Sequence, residues 1–160
     1  KINTMKPNID ISDKNREAVA GILNTLLADE YLLYTQTRNA HWNIEGSNFM
    51  ELHKFFEGQY EAIDDTIDAI AERVRTLGHY SLATLRDFLD VTHLAEVDGL
   101  SDEKTALKTL LQSHEVIICN SRKDIIEIND KYKDLGTADF ITGILKEHEK
   151  MAWMLRSYLS

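Results

Sequence analysis

The sequence predicts an all-α protein, a four-helix bundle with one short extra helix. Apolar residues recur at helical spacing in four long segments. A single proline and seven glycines in 160 residues leave those segments almost uninterrupted. This length suits one domain with its own core, and four long helices in one domain pack as a bundle. The predicted domain covers residues 12–160 and follows an N-terminal tail at 1–11.

The first helix is predicted from residue 12 to about 41, with Ser12 or Asp13 as its N-cap. The loop WNIEGS at 42–47 then ends it. The apolar positions that support this helix are Val19, Ile22, Leu23, Leu26, Leu27 and Leu33.

The second helix is predicted from about 49 to 76. Asn48, with Glu51 three residues later, has the arrangement of a capping box. Gly78 is predicted as the C′ residue, because glycine adopts the left-handed backbone that ends many helices.

The rest of the chain predicts one short and two long helices. The short helix is expected at 81–89, within a connection long enough to cross the bundle between the second and third long helices. The third long helix is predicted from Ser101 to about Asp130. Gly136 interrupts the pattern and Thr137 is expected to cap the last helix, which runs to the C-terminus.

Composition narrows the function classes. No apolar run approaches the ~20 residues of a membrane span, and no signal-peptide pattern opens the sequence. The single cysteine cannot form an internal disulfide, so a cytoplasmic protein is expected. A net charge of −9 repels nucleic acid and attracts cations.

Two pairs of candidate metal ligands lie on the second helix at i, i+4 spacing: His53 with Glu57, and Asp68 with Glu72. The two pairs project from similar faces, but Glu57 and Asp68 are about 16 Å apart along the axis. Ligand bonds of roughly 2 Å cannot bridge that distance. No Glu-x-x-His pair, typical of di-iron bundles, occurs in the chain. One chain therefore cannot bring all the predicted ligands to one metal ion.

Two chains together can bring these ligands to one metal ion. Two copies of the second helix that cross antiparallel about a two-fold axis place each His53 end opposite the partner's Asp68 end. His41, across the loop, could join His53, and the mid-helix Gly58 suits a close helix contact. By spacing alone, the alternative of an acidic, solvated helix face with histidines by chance stays open.

Several short motifs resemble the Dps family, the DNA-binding proteins from starved cells. The resemblance covers nearly the whole chain, including the short helix and the C-terminal MAWMLRSYL at 151–159. The motif residues are HW at 41–42, Gly46, NF at 48–49, His53, Glu57, Asp68, AER at 71–73 and LG at 77–78.

This resemblance implies a ferritin-like bundle that assembles into a hollow dodecamer, with ferroxidase centres at two-fold dimer interfaces. It implies that His41, His53 and Glu57 of one subunit bind iron together with Asp68 and Glu72 of its two-fold partner. Position 57 is commonly Asp in the family, so the Glu here adds a methylene between the helix and the metal.

The implied activity is oxidation of Fe(II), preferably by hydrogen peroxide, with storage of ferric mineral and protection against oxidative damage. Imidazole and carboxylate ligands suit Fe(II) and also Zn(II) as a substitute. Trp42, beside His41, is a candidate trap for oxidising equivalents, and interface packing is its alternative role.

By the same resemblance, Asp130, Asp134 and Asp139 fall where the family lines its three-fold pores with acids. An acidic ring would draw Fe(II) towards the cavity. Solvation or capping of helix ends is the alternative for each aspartate.

Five further residues are expected to be structural. His148 is interpreted as a surface or packing residue, and Cys119 as a buried small apolar residue. Met151, Met154 and Trp153 are expected to pack rather than bind a cofactor.

DNA binding and compaction is the competing function. The first ten residues carry only Lys1 and Lys6 against Asp10, and twelve subunits at −9 would give a shell of about −108. Because such a shell repels DNA, direct DNA binding is expected to be weak.

Overall fold

A computed structural model describes residues 5–160 as five helices, with no strand in that part of the chain. The four long helices and the short one agree with the predicted all-α bundle. The N-terminal Lys1, part of the predicted tail, lies outside the described residues. The helices are α1 Asp13–Asn43, α2 Phe49–Thr76, α3 Leu85–Val91, α4 Glu103–Asp130 and α5 Leu135–Tyr158.

The connection from α2 to α4 crosses the length of the bundle along α1. Near its start, the Asn24 amide donates to the Tyr80 carbonyl, and nearer its end the Gln36 amide donates to the Ala95 carbonyl. This confirms the predicted crossover, since α4 begins beside the loop that joins α1 to α2.

Asp29 of α1 fastens the middle of this crossover. Its buried carboxylate accepts hydrogen bonds from the Thr92 hydroxyl at 2.7 Å and from the His93 backbone N–H at 2.6 Å. The His93 ring Nδ1 lies 2.8 Å from the other carboxylate oxygen. These bonds give a buried carboxylate the partners that it needs.

The core lies between the pair α1–α2 and the pair α4–α5. It forms because each long helix buries an apolar stripe. Its largest fully buried side chains are Phe56, Leu23, Leu27, Leu33, Leu52, Ile63, Ile70, Leu77, Leu100, Leu107, Leu110 and Ile117.

The end of α2 follows the prediction. Gly78 has a φ of 85°, and a Cβ added there would lie 2.7 Å from two ring carbons of Pro7. Both the backbone conformation and this close approach require glycine.

The start of α2 differs from the prediction. Asn48 precedes the helix but makes no side-chain capping bond, so the predicted capping box is wrong. The Asn48 amide donates instead to Glu103 of α4, and Glu51 accepts from the Tyr158 hydroxyl of α5. Partners on distant helices thus replace the local cap.

Three other helix starts are also shifted. The short helix begins at Leu85 rather than 81, because the Thr84 hydroxyl accepts from a backbone N–H of the first turn. The third long helix begins after Asp102, which caps it. Asp134, not Thr137, caps α5, and Thr137 lies inside its first turn.

Cys119, expected to be buried, is exposed on the outer side of α4. Trp153 of α5, expected to pack, has a mostly exposed side chain. Among residues 5–160, no helix is long and apolar enough to cross a membrane.

Candidate metal centre

His41 and His53 hold each other in a reciprocal arrangement across the α1–α2 loop. His41 Nδ1 lies 2.7 Å from the His53 carbonyl oxygen, and His53 Nδ1 lies 2.8 Å from the His41 carbonyl oxygen. The two rings stack with centroids 3.8 Å apart. The loop therefore brings together two histidines that are twelve positions apart in the sequence.

These two bonds determine which nitrogen of each ring is free. A carbonyl oxygen only accepts, so each Nδ1 must carry the hydrogen and each neutral ring keeps its lone pair on Nε2. Histidine ligands of metal ions commonly donate their second N–H to a backbone carbonyl in this way. His41 and His53 thus have a tautomer that leaves Nε2 able to bind a metal ion.

Glu57 lies one turn after His53, and its carboxylate is engaged by a lysine. Lys54 Nζ is 2.6 Å from a Glu57 oxygen. This hydrogen bond holds the pKa of Glu57 below its ordinary value, and the charge of Lys54 acts in the same direction. The Glu57 carboxylate is therefore ionised at neutral pH.

Asp68 and Glu72 are exposed further along α2. Within residues 5–160 of one chain, no group of three or more His, Cys, Asp or Glu side chains is placed to hold a metal ion. The structure brings His41 and His53 together, while the two half-sites predicted for one chain, His41–His53–Glu57 and Asp68–Glu72, stay a prediction.

Aromatic and cationic side chains surround the histidine half-site. The Tyr60 ring meets His41 edge-on at 5.1 Å, and the Arg38 guanidinium lies 3.9 Å from the centre of the Tyr60 ring. Trp42 is 64% exposed, with Arg38 5.6 Å from its ring. An exposed ring beside His41 is compatible with either role predicted for Trp42.

Gly58 has open space beside it. No heavy atom outside its own helix backbone lies within 4 Å of a Cβ added there, among the residues that the structure describes. The close helix contact predicted for this glycine is therefore not made within the chain.

The three candidate pore residues differ in their surroundings. Asp130 and Asp139 are exposed. Asp134 is buried, caps α5 and lies 3.5 Å from Arg73. The capping alternative thus describes Asp134, while the pore role of the three aspartates stays a prediction.

Sequence reasoning missed a buried polar network in the centre of the bundle. His148 Nε2 lies 2.7 Å from Glu30 Oε1, and His148 Nδ1 lies 2.9 Å from His114 Nδ1. All three side chains are almost fully buried. One signal was present in the sequence, because each residue falls within the apolar stripe of its helix. Burial and the charge of His148 lower the pKa of His114 well below its ordinary value.

Comparison with known proteins extends the resemblance to the whole fold. Residues 20–160 match the ferritin-like domain family. An uncharacterized low temperature-induced protein of Nostoc sp. is 44% identical, over 95% of this chain and 86% of its own length. DNA protection during starvation protein 2 of Bacillus anthracis is 32% identical, over 89% of this chain and 97% of its own length.

A solved structure gives the same result. The DPS protein of Vibrio cholerae O1, described as a member of a broad superfamily of ferritin-like diiron-carboxylate proteins, superposes with a TM-score of 0.92 at 30% identity. The alignment covers 99% of both chains. Both the crossover and the α1–α2 hairpin that carries the two half-sites lie within the aligned length.

Proposed function

The chain belongs to the Dps family of ferritin-like proteins, and from that premise we propose that it oxidises Fe(II), preferably with hydrogen peroxide, and stores the ferric product inside a hollow shell. The proposed catalytic unit is a dimer with two equivalent centres. Each centre takes His41, His53 and Glu57 from one subunit and Asp68 and Glu72 from its two-fold partner.

The observation that carries this proposal is the reciprocal bonding of His41 and His53. Two histidine side chains that served only to pack in a core would not need to have the same tautomer. Here both Nδ1 atoms are committed to carbonyl oxygens, which leaves two Nε2 lone pairs, and Glu57 follows His53 by about one turn of α2. Two imidazoles and a carboxylate are a donor set that binds Fe(II).

The two separate half-sites support a shared centre. Each has too few donors for a closed iron site, and side chains on one helix cannot span the distance between them. An isologous contact between two α2 helices would combine one half-site from each chain and would produce two centres at once. Homodimers of this kind are the proposed building blocks of a dodecameric shell.

The chemistry assigns clear roles to the residues. Two Fe(II) ions supply the two electrons that reduce one hydrogen peroxide to two molecules of water, with two protons taken up. The carboxylates stabilise the higher charge of Fe(III), while the histidines fix the position of the ion. Removing Fe(II) and peroxide together limits formation of hydroxyl radicals. Asp130 and Asp139 are proposed to help draw Fe(II) into the shell.

The direct test compares Fe(II) oxidation by peroxide and by oxygen and measures the particle mass in the same preparation. We expect about two Fe(II) per peroxide, faster oxidation with peroxide than with oxygen, and a particle near 220 kDa from twelve chains of 18.4 kDa. A stable monomer with full activity would contradict the shared centre. Equal rates with both oxidants would contradict the peroxide preference alone.

A further inference from the structure

Gln59 of α2 presents an unexplained buried amide. Its side chain is only 4% exposed, yet neither its Nε2 nor its Oε1 has a hydrogen-bond partner among the described residues. A buried amide without partners is unfavourable, so native structures usually supply one. A partner from outside the described chain is therefore expected at this position.

The amide faces a groove between α2 and α5 of about 360 Å³. Phe55, Met151 and Met154 contribute apolar surface to its lining, and Lys54 and Lys150 also line it. A volume of this size, apolar walls and a few converging polar groups are the usual features of a small-molecule site. None of the proposed iron ligands lines the groove, and its nearest link to them is the ion pair of Lys54 with Glu57.

We propose that this groove binds a monocarboxylate with an aliphatic chain of medium length. The chain would pack against Phe55 and the two methionines, whose flexible thioethers adapt to irregular apolar ligands. The carboxylate would accept hydrogen bonds from Gln59 Nε2 and from Lys150, an exposed lysine without an ion pair in the described part of the chain. Lys54 is already paired with Glu57, so Lys150 is the principal cation.

Two neighbours of the groove determine how it can be tested. Gly58 lines the groove, and among the described residues no heavy atom outside its own helix backbone lies within 4 Å of an added Cβ. A larger side chain there would therefore occupy the groove without a clash with those residues. Glu147 also lines the groove, and its negative charge opposes that of a bound carboxylate. Gly58→Leu should therefore block the ligand, and Glu147→Gln should favour it.

The experiment titrates sodium decanoate into the assembled protein by isothermal calorimetry. We expect a dissociation constant on the order of 0.1 mM, typical of a ligand with about a dozen heavy atoms. Gly58→Leu should weaken binding at least tenfold, and Lys150→Gln and Gln59→Leu should each weaken it severalfold. Gly143→Leu is the matched control, because Gly143 also lies on a helix with open space beside it but does not line the groove.

The same titration with decylammonium, which has a chain of equal length and the opposite charge, tests the assignment of the head group. Decylammonium should bind at least tenfold more weakly than decanoate. Three results would overturn the proposal: no binding of decanoate to the wild-type particle, equal binding to the wild type and Gly58→Leu, or equal affinity for the two probes. Particle mass and circular dichroism of each variant exclude a failure to fold.

Discussion

His41 and His53 each donate a ring N–H to the backbone carbonyl of the other, at 2.7 and 2.8 Å. This exchange fastens the end of α1 to the first turns of α2 and also leaves both Nε2 atoms free. The same two side chains therefore stabilise the hairpin and supply donors for iron. The two roles use different nitrogens of each ring, so substitution can separate them.

Replacing His53 by Asn should separate structure from iron binding. The Asn amide can occupy the position of Nδ1 and donate to the His41 carbonyl, but it has no equivalent of Nε2. We expect His53→Asn to keep a melting temperature close to that of the wild type and to lose most binding of Co(II), followed by its visible absorption. His53→Ala should lose both metal binding and about 1 kcal/mol of stability with the hydrogen bond. Co(II) affinity unchanged in His53→Asn would remove His53 from the ligand set.

Lys54 should compete with metal ions for Glu57. Its ammonium group lies 2.6 Å from the carboxylate, and its side chain is 65% exposed, so a metal ion can displace it into solvent. We expect Lys54→Met to bind Co(II) about two- to fivefold more tightly, because an exposed ion pair opposes metal binding only weakly. Lys150→Met, which removes a lysine away from Glu57, is the control. Weaker binding in Lys54→Met would show that the lysine positions Glu57 instead.

Asp124 should make the protein less stable as pH rises through the weakly acidic range. Burial raises the pKa of Asp124 to about 6, although the charge of His93 opposes the shift. The folded state thus holds a proton between pH 4 and 6 that the unfolded state has released, and the free energy of unfolding falls across this range.

The test for Asp124 is Asp124→Asn, with melting temperatures measured at two pH values. The pKa difference corresponds to about 3 kcal/mol, but the residue is partly exposed, so solvent screening reduces the expected gain to about 1 kcal/mol at pH 7.5. That gain is a rise of about 2–4 °C. At pH 4 the variant and the wild type should have the same melting temperature. An increase in melting temperature of equal size at both pH values would contradict the explanation.

The buried network should make the bundle sensitive to acid. The pKa of His114 is well below 6.5 in the folded state because the ring is buried beside the charge of His148. The unfolded chain takes up this proton near pH 6.5 while the folded chain does not, so the free energy of unfolding falls as pH drops below about 6.5. We expect His114→Leu to lose less stability than the wild type between pH 7 and 5, measured as urea midpoints. His79→Gln, a substitution outside the network, should follow the wild type.

The helices could be predicted from the sequence because their signals are local. Apolar spacing, few helix breakers and Gly78 depend on residues within one or two turns, so four long helices and the crossover were recovered. The capping box at Asn48 failed because its amide and Glu51 bond to α4 and α5 instead. Likewise, periodicity placed Cys119 on a helix but could not determine which side of α4 faces outward.

The candidate centre was likewise predictable only in part. Spacing on α2 predicted both ligand pairs and the need for a second chain, since helix geometry alone fixes those distances. The tautomer of His41 and His53 could not be predicted, because it depends on carbonyl groups that the loop brings into position. The contact of Glu30 with His148 joins residues 118 positions apart, and no local pattern reports such a pairing.

The shared centre can be tested by complementation between subunits. His53→Ala and Asp68→Ala should each lose most peroxide-dependent Fe(II) oxidation, because each removes a donor from every centre. Particles reassembled from equal amounts of the two variants should recover part of the activity. In a dimer of one variant with the other, one centre carries both substitutions, while the second has native His53 from one chain and native Asp68 from the other.

A centre built within one chain predicts a different result. Every centre in the mixed particle would then contain one substitution, and no activity would return whatever the mixing ratio. Random pairing makes half of all dimers mixed, and each mixed dimer has one intact centre of two, so about a quarter of wild-type activity is expected. Native mass spectrometry can show that the particles are mixed. Mixed particles without activity would therefore exclude a centre shared between His53 of one subunit and Asp68 of the next.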